Sequence, residues 1–248
     1  MSFTFDSEVS ISKESIYEDL SFSDAFFEDA TNRSITNECI EKGNTVLELY
    51  DVISDAISGG MGSVWKVHHK NWDTDLAMKR PKPYFFAEAG TKRKELFVKE
   101  CVNWINLGLH PNIVSCYYVR EVGGVPSVFS EWMDGGSLCD SIQTGRLYDG
   151  TSEMVEARML DMAIQMAYGL DYSHSHSLLH RDVKPGNILL SQDYEAKLSD
   201  FGLAEAVSAE EGGEISTGYT SQYCPPEQME GKPAEPWMDI YAYALTVL

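Results

Sequence analysis

Short apolar runs of the β type dominate the chain between residues 50 and 132. Glycine pairs punctuate them, and Gly123-Gly124 separates the last two runs as a turn between strands would. A short apolar run bounded by turn signals favours a strand. We therefore predict strands over residues 50–57, 62–68, 76–79, 113–119 and 126–132.

Two longer segments have the periodicity of helices. The first, residues 88–107, ends before His110-Pro111 because proline restricts the conformation of the residue that precedes it. The second, residues 152–174, has an apolar side. That side consists of Met159, Met162, Ala163, Met166, Ala167 and Leu170. The order of strands, helix, strands and then mainly helix predicts an α+β fold with a β-rich first lobe and a helical second lobe.

Residues 1–45 differ from the rest in composition. They are rich in Ser, Asp, Glu and Asn with few basic residues, so we predict an acidic, loosely ordered N-terminal extension. The alternative is a short amphipathic helix, because apolar residues recur in this segment. Those residues are Ile16, Leu20, Phe22, Phe26 and Phe27.

Composition narrows the class of protein. The 248 residues include 39 acidic and 19 basic side chains, which give a formal net charge of −20 and disfavour binding to nucleic acid or anionic membranes. Five cysteines, without a Cys-x-x-Cys pair, favour reduced thiols over disulfides or a zinc site. The sequence shows neither a signal peptide nor an apolar run of ~18 residues. We therefore expect a soluble cytoplasmic protein.

A glycine-rich stretch lies between two predicted strands. Glycines let backbone amides approach phosphate oxygens because no Cβ intervenes. The stretch departs from the pattern Gly-x-Gly-x-x-Gly-x-Val at its first position, where isoleucine replaces glycine. An ordinary turn between strands is the alternative interpretation. The residues we expect around a phosphate group are Ile57, Gly59, Gly60, Gly62 and Val64.

Lys79 ends the apolar run that begins at Leu76, an unusual place for a lysine. Its ammonium suits the α- and β-phosphates of a nucleotide, and Ala77 leaves room for a flat base. A buried lysine needs a carboxylate partner. We predict Glu100 on the following helix, with Glu95 as the alternative. The other interpretation of Lys79 is a surface lysine at the end of a strand.

Residues 180–187 hold the densest set of reactive side chains. Asp182 can accept the proton of a substrate hydroxyl, and Lys184 can neutralise a phosphate during transfer. Asn187 offers an amide oxygen, and Asp200 begins an Asp-Phe-Gly sequence. Because hard divalent cations prefer oxygen ligands, we predict a magnesium site at Asn187 and Asp200.

Together these motifs resemble those of the eukaryotic-type serine/threonine protein kinase family, from about Tyr50 to Leu248. They follow the family's order along the chain, and residues 184–187 have its serine/threonine form. The resemblance implies a two-lobed fold, with an N-lobe at about 50–132 and a C-lobe at about 133–248. It implies transfer of the terminal phosphoryl group of ATP, with Mg²⁺, to serine or threonine hydroxyls of protein substrates.

The resemblance also assigns the segment between the lobes. Residues 128–138 are similar to the family's hinge, which implies that Ser130 is a small gatekeeper. It implies that backbone groups of Glu131 and Met133 face the adenine edge, and that Leu189 lies beneath the base.

Residues 200–227 resemble the family's activation segment. The resemblance implies that Thr220 contacts the catalytic aspartate and lysine. Ser216 and Thr217 are the expected phosphorylation sites because a phosphate there can pair with Arg181; ordinary loop hydroxyls are the alternative. The stretch from 201 to 226 has several glutamates and neither Lys nor Arg, so we expect protein substrates that are basic.

The resemblance stops at Leu248, within a helix-like pattern that begins at Asp239. It implies that Asp239 holds the backbone of the catalytic loop. The family normally continues with further helices, so we expect exposure of Leu245, Val247 and Leu248, and either further C-terminal sequence or a partner chain over that surface. The alternative is therefore that the chain is a truncated kinase fragment with weak or no activity, which serves in nucleotide binding or as a scaffold. We also expect the 248-residue chain to be poorly stable alone.

Overall fold

The computed structural model describes residues 40–60, 62–82, 86, 90–203 and 222–248. Most of the predicted acidic extension lies outside these ranges. Within them, no helix is long and apolar enough to cross a membrane.

The first lobe is built on a seven-stranded antiparallel sheet, counted over the described residues. Its strands are β1 (Thr45–Val46), β2 (Tyr50–Val52), β3 (Ile57–Ser58), β4 (Gly62–His69), β5 (Thr74–Pro81), β6 (Cys116–Val122) and β7 (Val125–Glu131). The spatial order is β1-β2-β4-β5-β7-β6, and β3 pairs with β4. The sheet confirms the predicted β-rich first lobe.

The register of the central strands sorts side chains onto two faces. Leu76 and Met78 of β5 are fully buried on one face. Successive side chains alternate between faces and cross-strand partners share one, so Ala77 and Lys79 belong to the opposite face. Ala77 is paired there with Lys66 of β4 on one side and Ser130 of β7 on the other. Of the predicted nucleotide-binding residues, this face carries Ala77, Lys79 and Val64, which pairs with Lys79.

Two predicted strands have different bounds in the structure. The run from 50 to 57 divides into β2 and β3, because the Ser54 hydroxyl accepts the Lys66 N–H at 2.8 Å in place of a backbone carbonyl. The run from 113 to 119 becomes a strand only at Cys116. Before it, the Val114 N–H donates to the Leu198 carbonyl at 2.9 Å, which joins this segment to the second lobe.

One helix, α1 (Gly90–Asn106), packs against the sheet of the first lobe.

The second lobe is mainly helical, which confirms the α+β prediction. Its described helices are α2 (Leu138–Gln143), α3 (Ser152–Ser175), α4 (Pro226–Met229) and α5 (Pro236–Val247). A two-stranded ribbon, β8 (Ile188–Leu190) and β9 (Ala196–Leu198), lies beside α3. Ser137 starts α2 with a capping box. The Ser137 hydroxyl accepts the Asp140 N–H, and the Asp140 carboxylate accepts the Ser137 N–H.

Helix α3 buries part of the apolar side that the sequence predicted. Met162, Met166 and Leu170, spaced four residues apart, are at most 3% exposed. Met159 and Ala167, on the same side, are exposed. Gly169 and Ser173 are buried as well. At the end of α5, Val247 and Leu248 are exposed as expected, whereas Leu245 is half-buried.

Gly169 lets α3 approach the ribbon closely. A Cβ at this position would lie 2.7 Å from both the Asn112 carbonyl oxygen and Leu198 Cδ1. Contacts this short force backbone to move. Gly169 therefore sets the spacing between α3, β9 and the segment that leads to β6.

We expect Gly169→Ala to lower the free energy of unfolding by roughly 2 kcal/mol, although alanine is the better helix former. The matched control is Ala167→Gly on the exposed side of the same helix, which should cost about 0.5–1 kcal/mol from helix propensity alone. Urea unfolding of both variants measures the two changes. A stabilised Gly169→Ala variant would show that the close approach imposes no constraint.

Candidate active site

Asp182 lies in the loop before β8 and is 6% exposed. Its Oδ2 accepts hydrogen bonds from Lys184 Nζ at 2.6 Å and from Asn187 Nδ2 at 2.8 Å. Its Oδ1 accepts none from the described residues. Among the described residues, Oδ2 is therefore fixed by two neighbours, while Oδ1 has no donor.

The backbone before Asp182 is held by Asp239 of α5, as the resemblance implied. The buried Asp239 carboxylate accepts the N–H groups of His180 at 2.8 Å and Arg181 at 2.7 Å. Arg181 has φ of 65°, a left-handed conformation that is unfavourable for a non-glycine residue. The two hydrogen bonds offset that cost and fix the direction in which Asp182 leaves the chain.

His174 completes the surroundings of Asp239. Its Nε2 lies 2.8 Å from Asp239 Oδ2. Burial alone would raise the pKa of Asp239, but the hydrogen bond with His174, the charge of His180 and the two backbone N–H groups outweigh burial and lower it. This contact joins α3 to α5, two helices that are distant in sequence, so motif spacing does not reveal it.

Lys79 from the sheet meets Asp200 from the second lobe. Lys79 Nζ donates to Asp200 Oδ2 at 2.6 Å, and both side chains are largely buried. The predicted Lys79–Glu100 pair is not formed in this structure. A Cβ on Gly202 would lie 2.6 Å from Glu100 Oε2, so the glutamate carboxylate lies against Gly202 instead. Asp200 occupies the place beside the ammonium that we assigned to Glu100, and the contact joins the two lobes.

Phe201 fills the space behind this pair. Its ring is fully buried, 4.6 Å from the His180 ring and 6.4 Å from the Trp104 ring of α1 by centroid distance. Asp200 itself has φ of 67°. The turn directs the carboxylate toward Lys79 while the next side chain enters the core.

Asn187 and Asp200 supply the oxygen ligands expected for Mg²⁺. Asn187 Nδ2 donates to both the carbonyl oxygen and Oδ2 of Asp182, each at 2.8 Å. This orientation leaves the amide oxygen without a donor among the described residues. A free amide oxygen and a carboxylate are donors that a hard divalent cation prefers, so the residues fit the ion.

The glycines of the glycine-rich stretch have two different surroundings: one is closely packed, and two have space around them. A Cβ on Gly62 would collide with the Arg80 carbonyl and lie 2.9 Å from Pro81 Cα, so Gly62 is needed where β4 meets β5. Gly60 has open space around it, and Gly59 has only the Gly62 carbonyl at 3.8 Å. Ile57 is 61% exposed and Val64 is half-buried.

Met133 follows the end of β7, the strand whose Ser130 pairs with Ala77 of β5. The Met133 side chain is buried, and its N–H donates to none of the described residues. The Glu131 side chain is engaged instead with Lys197 Nζ at 2.5 Å. Leu189 is half-buried on β8. The Met133 N–H can donate a hydrogen bond to a ring nitrogen at the edge of an adenine base.

Two thiols lie behind the site. Cys101 on α1 and Cys116 on β6 are buried, and burial together with the nearby Asp200 carboxylate raises the pKa of each. Cys224, ahead of α4, has its pKa raised to about 11 by burial and by the charge of Asp182. All three are free thiols.

The predicted activation-segment residues Ser216, Thr217 and Thr220 lie outside the described residues. A groove of about 360 Å³ on α3 and α5 lies elsewhere, lined by mainly apolar side chains. It contains none of the predicted site residues.

A β-rich lobe and a helical lobe that meet at a Lys–Asp pair, next to an Asp–Lys–Asn loop, define the two-lobed protein-kinase-like class. The family profile of the protein kinase domain matches residues 50–248. The chain therefore belongs to the protein kinase family.

Individual relatives agree. A probable serine/threonine-protein kinase of Streptomyces coelicolor is 29% identical over 192 residues, covering 74% of this chain and 27% of the relative. Serine/threonine-protein kinase PknB of Mycolicibacterium smegmatis is 33% identical over 141 residues, 54% of this chain and 21% of the relative. The crystal structure of the Mycobacterium tuberculosis PknI kinase domain aligns with a TM-score of 0.63 and 25% identity, over 84% of this chain and 74% of that one. The chain spans about a quarter of the length of these two curated relatives.

The anchoring role of Asp239 predicts a pH-dependent difference. Because folding lowers its pKa, the stability that Asp239 contributes is complete above its ordinary value of 3.8 and is lost as the pH falls through the lowered value. We expect Asp239→Asn to cost about 1–3 kcal/mol at pH 7, and less in acid. Urea unfolding from pH 7 to pH ~3 measures the difference. Asp193→Asn, at an exposed position, is the control, and a penalty for Asp239→Asn that is the same at every pH would contradict the assignment.

Proposed function

We propose that this chain is the catalytic domain of a serine/threonine protein kinase, which transfers the terminal phosphoryl group of ATP to hydroxyl groups of protein substrates. The observation that carries the proposal is the Asp182 carboxylate, with one oxygen fixed by Lys184 and Asn187 and the other without a donor in the described part of the chain. The serine/threonine kinase names of the relatives support the same substrate class.

Asp182 acts on the attacking hydroxyl. Its available oxygen accepts the hydroxyl proton while the hydroxyl oxygen forms a bond to the terminal phosphorus, and the bond from that phosphorus to the leaving ADP oxygen breaks. Lys184, already 2.6 Å from Asp182, is placed to balance negative charge on the group in transfer. The proton remains on Asp182 until product leaves.

The first lobe holds the nucleotide. Lys79 neutralises phosphate charge, and Glu100 is the carboxylate that can pair with it when Asp200 turns to a metal ion. Gly59, Gly60 and Gly62 bring backbone amides close to phosphate oxygens. The base lies among Ile57, Val64, Ala77, Glu131, Met133 and Leu189.

Asn187 and Asp200 would hold Mg²⁺. When bound, the ion neutralises phosphate charge and fixes the geometry of the phosphate chain. The direction of the Asn187 amide oxygen is set by the hydrogen bonds of its Nδ2 with Asp182. The Asp200 carboxylate accepts from Lys79 in this structure and would exchange that contact for the ion.

The regulation and location proposed for the chain rest on its family and on its thiols. Ser216 and Thr217 are proposed phosphorylation sites, and Thr220 is proposed to contact Asp182 and Lys184. The four described cysteines are free, which supports a reducing compartment such as the cytoplasm. The strongly acidic chain is proposed not to bind nucleic acid.

The assay that tests the proposal is magnesium-dependent transfer of labelled phosphate from ATP to a generic protein substrate. We expect Asp182→Asn to lower kcat by about 10²–10⁴-fold, because the general base is lost while the fold is kept. Nucleotide binding should change little. Equal phosphorylation by Asp182→Asn and the unchanged chain would refute the catalytic assignment.

The substrate preference is a separate expectation. The segment from 201 to 226 has several glutamates and no basic residues, so we propose that it favours basic peptides by charge complementarity. A peptide array should show enrichment of Arg or Lys near the phosphorylated residue, with the preference weakening as salt rises. Peptides without basic residues that react equally well would exclude this preference.

A further inference from the structure

The central part of the hinge, residues 131–134 and called the hinge from here on, has two charged side chains, and both are engaged by lysines. At its first residue, Glu131 Oε1 lies 2.5 Å from Lys197 Nζ. Its other oxygen accepts the Ser115 N–H at 3.2 Å. The carboxylate is therefore held on both sides, with 25% of the Glu131 side chain and 18% of the Lys197 side chain exposed.

At the last residue of the hinge, Asp134 is engaged by Lys66. Lys66 Nζ lies 3.2 Å from Asp134 Oδ1 and 3.0 Å from Asp75 Oδ2. The ammonium also lies 5.4 Å from the centre of the Trp132 ring, whose Nε1 donates to Asp134 Oδ1 at 2.7 Å. Burial opposes the charge on Lys66, but hydrogen bonds to Asp75 and Asp134 outweigh it and raise its pKa, so Lys66 stays protonated at neutral pH.

The two ion pairs cross the hinge in opposite directions. Glu131 ends β7 in the first lobe, and its lysine comes from β9 in the second lobe. Asp134 begins the second lobe, and its lysine comes from β4 in the first. Each end of the hinge is therefore tied to the lobe on its far side, and the backbone between the ends is held at both.

We propose that Lys66 and Lys197 are positioning residues for the nucleotide, which act by fixing the hinge backbone. The backbone between the two pairs includes the buried Met133, whose N–H is free of described partners. Lys66 also lies beside Ala77 in the register of the sheet. Holding a binding segment in its bound form lowers the ordering cost of binding, so the pairs should increase affinity without joining the chemical step. This inference rests on the proposed function.

The test uses the 248-residue chain with Lys197→Met and Lys66→Met, and the probe is a fluorescent ADP with Mg²⁺. We expect each variant to raise the Kd by about three- to tenfold, the larger change belonging to the less exposed Lys197 pair. The KM for ATP should rise with it, while kcat at saturating ATP stays within about twofold. The matched control is Lys70→Met, which removes an exposed pair with Asp51 at 3.1 Å outside the hinge and should leave the Kd unchanged.

A double-mutant cycle separates positioning from damage to the fold. Glu131→Gln breaks the same pair from the other side, so Lys197→Met with Glu131→Gln should weaken binding by less than the product of the single effects. Melting curves of all variants report whether they fold. Rescue by Lys197→Arg, which keeps a charge beside Glu131, would support the proposal.

Three outcomes would overturn it: an unchanged Kd in both lysine variants, a fall in kcat with unchanged Kd, or an equal effect in Lys70→Met. If the unchanged chain binds the probe and the lysine variants bind it equally well, the inference fails while the proposed function stands. If the unchanged chain does not bind the probe with Mg²⁺, both fail.

Discussion

The buried carboxylate of Asp239 is the contact on which the geometry of the second lobe depends. It accepts the N–H groups of His180 and Arg181, and so holds the catalytic loop against α5 in a conformation that Arg181 would not adopt freely. From that fixed backbone the Asp182 carboxylate projects toward Lys184 and Asn187. A charge with 2% exposure is costly to bury, and here that cost is offset by hydrogen bonds that give the loop its shape.

The second constraint is the way the lobes share backbone hydrogen bonds. Val114 donates to Leu198, and Leu198 donates to the Asn112 carbonyl, so the segment before β6 continues as a neighbour of the ribbon. Gly169 brings α3 against the same place. Asp200 follows β9 by two residues, and its position relative to Lys79 is therefore set by packing at the back of the cleft as well as by the attraction between the charges. The same contacts therefore determine both the relative position of the lobes and the geometry of the site.

Sequence predicts the parts of this structure that depend on local periodicity. β4 and β5 contain short apolar runs bounded by turn signals, and α1 and α3 have helical spacing, so these elements could be recognised in advance. The break between β2 and β3 could not, because it depends on the Ser54 side chain taking the N–H of Lys66. Likewise the choice of Asp200 over Glu100 beside Lys79, and the pairing of Lys197 with Glu131, arise between segments far apart in sequence. Motif spacing identifies the reactive groups, whereas the residues that contact them depend on tertiary packing.

The buried thiols of Cys101 and Cys116 have a consequence for how the motions of the domain can be observed. Their raised pKa keeps them protonated, and burial between α1 and the sheet keeps reagents away. Cys101, which is fully buried, can react only when α1 and the strands separate for a moment. The rate of alkylation therefore counts such openings, and the chain carries its own probe of local unfolding beside the cleft, without any label having to be introduced.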